Sequence, residues 1–151
     1  MKRPPTWAPP RLGQPVKPCS ECENWAAWGN NPPSAGTPAM WPWVQAIGTV
    51  LQACSQEAQQ RWRTGEIGHL LDSAADELPP QLPDSGVRFR LFERVTALIG
   101  EAAAARPIVL IIDDLHWADL PSLELFGHVV TRLPESITLV GALRDRAPAP
   151  Q

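Results

Sequence analysis

Residues 108–119 read Ile-Val-Leu-Ile-Ile-Asp-Asp-Leu-His-Trp-Ala-Asp, and this stretch decides the fold. An unbroken apolar run, mostly β-branched, ends abruptly in two adjacent carboxylates. Such a run is expected as a strand covered on both faces, the kind found in a parallel sheet. In open α/β sheets ligands bind in the crevice beyond the carboxyl ends of the strands, and Asp113 and Asp114 belong at that edge. Two acids there suit a Mg²⁺-nucleotide site, in which one carboxylate helps hold the metal and the next orients or deprotonates water. A strand that simply ends in polar residues offers the same pattern with no chemistry. The apolar run directly before the acids tilts Asp113 toward the functional reading. For Asp114, polarising water and merely solvating the turn stay open.

The chain after the acidic pair continues the pattern. Asp119 is expected as a helix N-cap with Pro121 in the first turn. Leu120, Leu123, Phe126, Val129, Val130 and Leu133 then form an apolar stripe down to Pro134. Residues 136–143 (Ser-Ile-Thr-Leu-Val-Gly-Ala-Leu) read as a second buried strand. Strand, helix and strand in that order make a βαβ unit with a right-handed crossover. Arg144 and Asp145 should then emerge on the same edge as Asp113. A guanidinium at that position could sense and stabilise a γ-phosphate charge; an exposed arginine paired with Asp145 or Asp119 is the simpler reading.

Upstream, Val44, Ile47, Val50, Leu51 and Cys54 recur at three- and four-residue steps, which predicts one helix from Trp41 to about Arg63. A shorter helix fits Glu66 to Leu78, and Pro79, Pro80 and Pro83 enforce a loop. Ser85 to Ala105 is helical again, with Phe89, Phe92, Val95, Leu98 and Ile99 inward, and Pro107 closes it. Of the 18 prolines, ten fall within the first 42 residues. Residues 1–22 have no apolar periodicity and are expected to be extended or disordered. A short strand is conceivable over Glu23–Gly29, with order beginning near Met40. The expected organisation is a proline-rich, largely disordered or extended segment over 1–35, a partial α/β domain over 36–146, and a disordered tail over 147–151.

Composition narrows the function classes. The net charge of −3 argues against an electrostatic nucleic-acid binder, which would be basic. No apolar run approaches the ~20 residues needed to span a bilayer, and a proline-rich start lacks the apolar stretch of a signal peptide, so a cytoplasmic location is expected. Cys19 and Cys22 have CxxC spacing, but no second pair completes a zinc site and no redox fold surrounds them, so the cysteines read as incidental. His116 could relay a proton or sense a ligand, yet such residues more often pack or cap. His69 and His128 lie on predicted helices without a ligand partner. Trp117, Trp41 and Trp43 are expected to pack, although seven tryptophans in so short a chain also suit an interface.

The segment 108–119, with its Asp-Asp-Leu-His-Trp-Ala-Asp ending, resembles the Walker B region of STAND-class ATPases. These are the AAA-like modules of large LuxR-type transcriptional regulators and of some adenylate cyclase-linked and kinase-linked proteins. The resemblance extends over residues 36–45, Gly-Thr-Pro-Ala-Met-Trp-Pro-Trp-Val-Gln, over Arg88–Phe92, and over Leu139–Asp145, covering roughly residues 34–146. It implies a P-loop NTPase-like α/β fold, ATP and Mg²⁺ as cofactors, Asp113 as the Mg²⁺ acid, Asp114 as the catalytic acid and Arg144 as the sensor. One departure stands out. The family's GxxxxGK[ST] loop has no counterpart, because the only lysines, Lys2 and Lys17, do not follow a glycine. Without that loop the amides and lysine that cradle phosphates are missing. The expectation is a partial STAND-type ATPase domain, inactive alone, from a truncated or split gene product or a misplaced start. The alternative is a non-catalytic interaction scaffold whose exposed sheet edge recruits a protein partner. No direct nucleic-acid or membrane contact is expected.

Overall fold

The structure is a computed structural model and describes residues 25–33, 36–75 and 84–144. Three parallel strands form one sheet in the order β1 (Trp25–Asn30), β2 (Ile108–Asp113), β3 (Ile137–Gly141). Among the described residues five α-helices accompany them: α1 (Trp41–Gln52), α2 (Gln56–Arg63), α3 (Glu66–Ala75), α4 (Ser85–Ala105) and α5 (Leu120–Thr131). A single 3₁₀ turn, Leu115–Trp117, follows β2.

β2 forms over the apolar run, but among the described residues no helix covers its second face, where its composition suggested cover on both. Ile108, Leu110 and Ile112 are buried, whereas Val109, Ile111 and Asp113 on the other face are only half-buried. The reason lies in connection handedness. Both crossovers, β1 to β2 and β2 to β3, step the same way across the sheet, and right-handed crossovers that step the same way lie on the same face. α1 packs on β1 and β2 there, α4 packs on α1, and α5 lies against α4 and α1. The opposite face presents Ala26, Trp28, Val109, Ile111 and Val140, all half-buried or exposed. β3 is an edge strand; only Ile137 is buried, so the expectation of a second buried strand is corrected.

Two glycines let the helices close on the sheet. Ile112, fully buried at the centre, pairs with Gly29 on one side and Gly141 on the other. A Cβ at Gly29 would fall on the backbone carbonyl of Pro42 in α1, and one at Gly141 would lie 2.7 Å from Leu115 Cδ1 and 2.8 Å from Phe126 Cζ. α1 and α5 therefore approach the sheet most closely at its C-terminal end, just beneath the two acids.

Several helix boundaries differ from expectation. The predicted helix over 41–63 is broken after Gln52, because Ser55 N-caps a new helix, its Oγ accepting from the Ala58 N–H at 3.2 Å. α3 is described to Ala75; the remainder of the predicted span to Leu78 lies outside the described residues. α4 has the predicted limits, yet Phe89 is 53% exposed and Leu91 is buried in its place. On α5 the stripe is shifted as well. Leu125 and Val129 are buried, while Leu120, Leu123, Val130 and Leu133 are exposed. A stripe that looks inward on a lone helix faces outward here because only one layer packs against it. Order is present from Trp25, well before Met40, since β1 pairs along its whole length with β2.

The glycine contacts yield a graded prediction. Gly29→Ala should destabilise the fold by about 2–3 kcal/mol or more, because the obstruction is backbone. Gly48→Ala, within α1 and with nothing within 4 Å of its Cβ, should be neutral or stabilising by up to about 1 kcal/mol. Urea unfolding of both variants beside the parent chain checks this ordering.

Candidate functional site

β1 and β2 end in register, with Asn30 beside Asp113, so both side chains project to the same face of the sheet. β3 ends one position earlier, and its continuation stays bound: Ala142 N–H donates to the Ile112 carbonyl at 3.0 Å, and Leu115 N–H donates to the Ala142 carbonyl at 2.9 Å. The segment after β2 is thus hooked back over the end of β3. Asp114 makes the turn in a left-handed conformation, φ 52°, ψ 44°. Asp and Asn tolerate that region better than most residues, and the Asp113 carboxylate supports it by accepting the Asp114 N–H at 2.7 Å through Oδ1.

This turn gathers the residues singled out in sequence. Asp114 Oδ1 lies 3.8 Å from Arg144 Nε and 4.0 Å from His116 Nε2. The Arg144 N–H donates to His116 Nδ1 at 3.4 Å, which makes Nδ1 the acceptor and leaves the ring proton on Nε2, toward Asp114. Arg144 therefore emerges on the same edge as the acids. Its side chain is 80% exposed, and such a pair contributes at most about 1 kcal/mol. Asp145, Cys19 and Cys22 lie outside the described residues. Trp117 is 46% exposed and tilts against the His116 ring at 5.4 Å.

Asp119 does more than its sequence position suggested. It is the N-cap residue of α5, yet its carboxylate makes no bond to that helix's own first-turn N–H groups. Instead it accepts the Met40 N–H at 3.2 Å and 3.3 Å, and the Ser122 hydroxyl at 2.5 Å. Trp43 Nε1–H donates to the Ser122 carbonyl at 3.0 Å in a fully buried bond. Met40 precedes α1 in a left-handed conformation, φ 59°. The starts of α1 and α5 are thereby clasped together, 79 residues apart in sequence.

On the other flank, buried Asn31 donates from Nδ2 to the Asp113 carbonyl at 2.9 Å, and the Asn30 N–H donates to Gln45 Oε1 at 2.9 Å. Among the described residues Asn30 Oδ1 is buried and finds no hydrogen-bond partner. Sequence reasoning missed Asn30, Asn31, Met40 and Ser122. The signal for the asparagines was present, since Trp25–Gly29 followed by two asparagines repeats the pattern of an apolar run ending in a polar pair.

A hard divalent cation takes oxygen ligands, and Mg²⁺ is ordinarily held by one or two carboxylates, water and phosphates. Asp113 and the orphaned Asn30 oxygen suit that donor set. No cluster of three or more His, Cys, Asp or Glu side chains able to hold a metal occurs among the described residues. Away from this edge, Cys54 is partly buried; burial first, and then Glu101, push its thiol above the usual range, with Arg61 opposing. A thiol held in its neutral form is a poor nucleophile and metal ligand.

The model of the AAA ATPase domain family matches residues 17–140, and the chain belongs to that family. No curated protein and no solved structure matches it. Among the described residues no helix is long and apolar enough to cross a membrane.

The clasp and the exposed ion pair differ in expected weight. Asp119→Ala should cost about 2 kcal/mol or more, since hydrogen bonds to a charged group are the stronger class. Arg144→Ala should cost less than about 1 kcal/mol. Equal losses in denaturant unfolding would show that the turn is held from the β3 side instead.

Proposed function

We propose that this member of the AAA ATPase domain family carries the metal-and-water side of a STAND-type ATP·Mg²⁺ site. The observation that carries this reading is the convergence of Asp113, Asp114 and Arg144 at the C-terminal edge of a parallel sheet. Asp113 is the metal-holding carboxylate, fixed by its bond from the Asp114 amide. Asp114 orients or deprotonates the attacking water, with His116 and Arg144 on either side of its carboxylate. Arg144 senses the γ-phosphate; its long, exposed side chain is free to swing from Asp114 to a more negative partner. Bound Mg²⁺ would supply neutralisation of phosphate charge. In a signalling or transcriptional regulator, such a site switches the protein between states.

Phosphate capture is the missing part. The 151 residues contain no Gly-Lys dipeptide, hence no glycine-rich loop whose amides and lysine hold the β- and γ-phosphates. By itself the domain holds nucleotide weakly and does not turn it over. A second reading, a non-catalytic interaction scaffold, is favoured by one feature. β3 (Ile-Thr-Leu-Val-Gly) is an edge strand with no charge along its length, and charged residues are what ordinarily guard such an edge.

Titration of the chain with a fluorescent ATP analogue and Mg²⁺ tests this account, with Asp113→Asn alongside. The expected result is no saturable binding at micromolar analogue and no difference between the two proteins. Saturable binding that Asp113→Asn abolishes would show that the phosphates are held without a glycine-rich loop.

A further inference from the structure

We infer that Asn30 is the second protein oxygen of the divalent-cation site at Asp113, so that the two strand ends together form a small, hard-oxygen site that takes Mg²⁺ or Mn²⁺ without nucleotide. This inference rests on the reading of Asp113 as the metal-holding acid and extends it to a residue on a different strand.

The polar groups at this end of the sheet show which atom remains. The Asn31 side-chain amide is used by the Asp113 carbonyl, and the Asn30 backbone N–H by Gln45 Oε1. Asp113 Oδ1 takes the Asp114 N–H. Among the described residues Asn30 Oδ1 is buried without a hydrogen-bond partner, and it belongs to the residue paired directly with Asp113. A buried acceptor with no donor is costly, and buried polar groups without partners are rare enough to call for a cause such as an ion. Register places Asn30 and Asp113 on the same face, the one no described helix covers, and Asp113 is only half-buried, so a cation can reach its carboxylate from solvent and meets the buried Asn30 oxygen once part of its water is shed. A neutral amide oxygen beside one carboxylate gives low charge and few ligands. That favours a cation that keeps most of its water, as Mg²⁺ does.

The test is Mn²⁺ binding to the intact chain, read from loss of the free-ion electron paramagnetic resonance signal, with Mg²⁺ as competitor. Three variants are compared: Asn30→Ala, Asn30→Asp and Asp113→Asn. Asn30→Ala should weaken Mn²⁺ binding by about tenfold, and Asn30→Asp should strengthen it by a similar factor through its added charge. Asp113→Asn should abolish it. Mg²⁺ should also shift the Asn30 side-chain amide resonance in the parent chain, a readout that survives if a variant folds poorly. Mn²⁺ binding lost in Asp113→Asn but unchanged in both Asn30 variants overturns this inference and leaves the role of Asp113 intact. Binding insensitive to Asp113→Asn overturns both.

Discussion

The in-register pairing of three parallel strands is the constraint on which the rest depends. Ile112 sits at its centre, flanked by Gly29 and Gly141, and the next residue on β2 is Asp113. A slip of one residue would turn every side chain of a strand to the opposite face. Asp113 would then point into the layer occupied by α1 and α5, and Ile112 would lose its burial. The same pairing sets the position of the turn after β2, because the Ala142 amide and carbonyl continue the ladder past the last paired residue. Burial of the apolar run and placement of the acids are one event.

Two further features turn that edge into a site. The glycines beside Ile112 admit α1 and α5 at the end of the sheet where the acids lie. The Asp119–Met40–Ser122–Trp43 clasp then joins the starts of both helices. Its charged, partly buried hydrogen bonds outweigh the exposed Arg144–Asp114 pair by the magnitudes usual for each class. The turn is therefore held from beneath, and the Arg144 side chain stays exposed beside it. Two crossovers that step in one direction put the described helices on one face of the sheet, and Asp113 and Asn30 project toward the other.

Much of this was legible in the sequence where local pattern and tertiary role coincide. Ile108–Asp113 reads as a strand because its apolar residues must be buried and its acids cannot be; Ser85–Ala105 reads as a helix because its apolar spacing is long and uninterrupted. The pattern failed where burial depends on what packs from outside. Leu120, Leu123 and Val130 look like core residues on α5 but face outward, and Val109 and Ile111 belong to an uncovered face. Phe89 was expected inward, yet it lies edge-on to His128 at the surface. The convergence of Asp113, Asp114 and Arg144 at one edge of the sheet was legible from residue type and order; their roles belong to the proposal. The Asp119 clasp was hidden because Met40 lies 79 residues from Asp119, and a hydrogen bond across that separation leaves no local trace. The early strand was underestimated because its alanines, glycine and tryptophans carry a weak strand signature, and pairing with β2 supplies what propensity does not.

The central claim is the register itself, and cross-strand nuclear Overhauser effects in the isotope-labelled chain measure it most directly. Backbone contacts should link Asn30 to Asp113, Gly29 to Ile112, and Ile112 to Gly141, all in parallel orientation. Contacts displaced by one residue, or a β1 that does not pair with β2, would contradict it, because Asp113 and Asn30 would then no longer share a face.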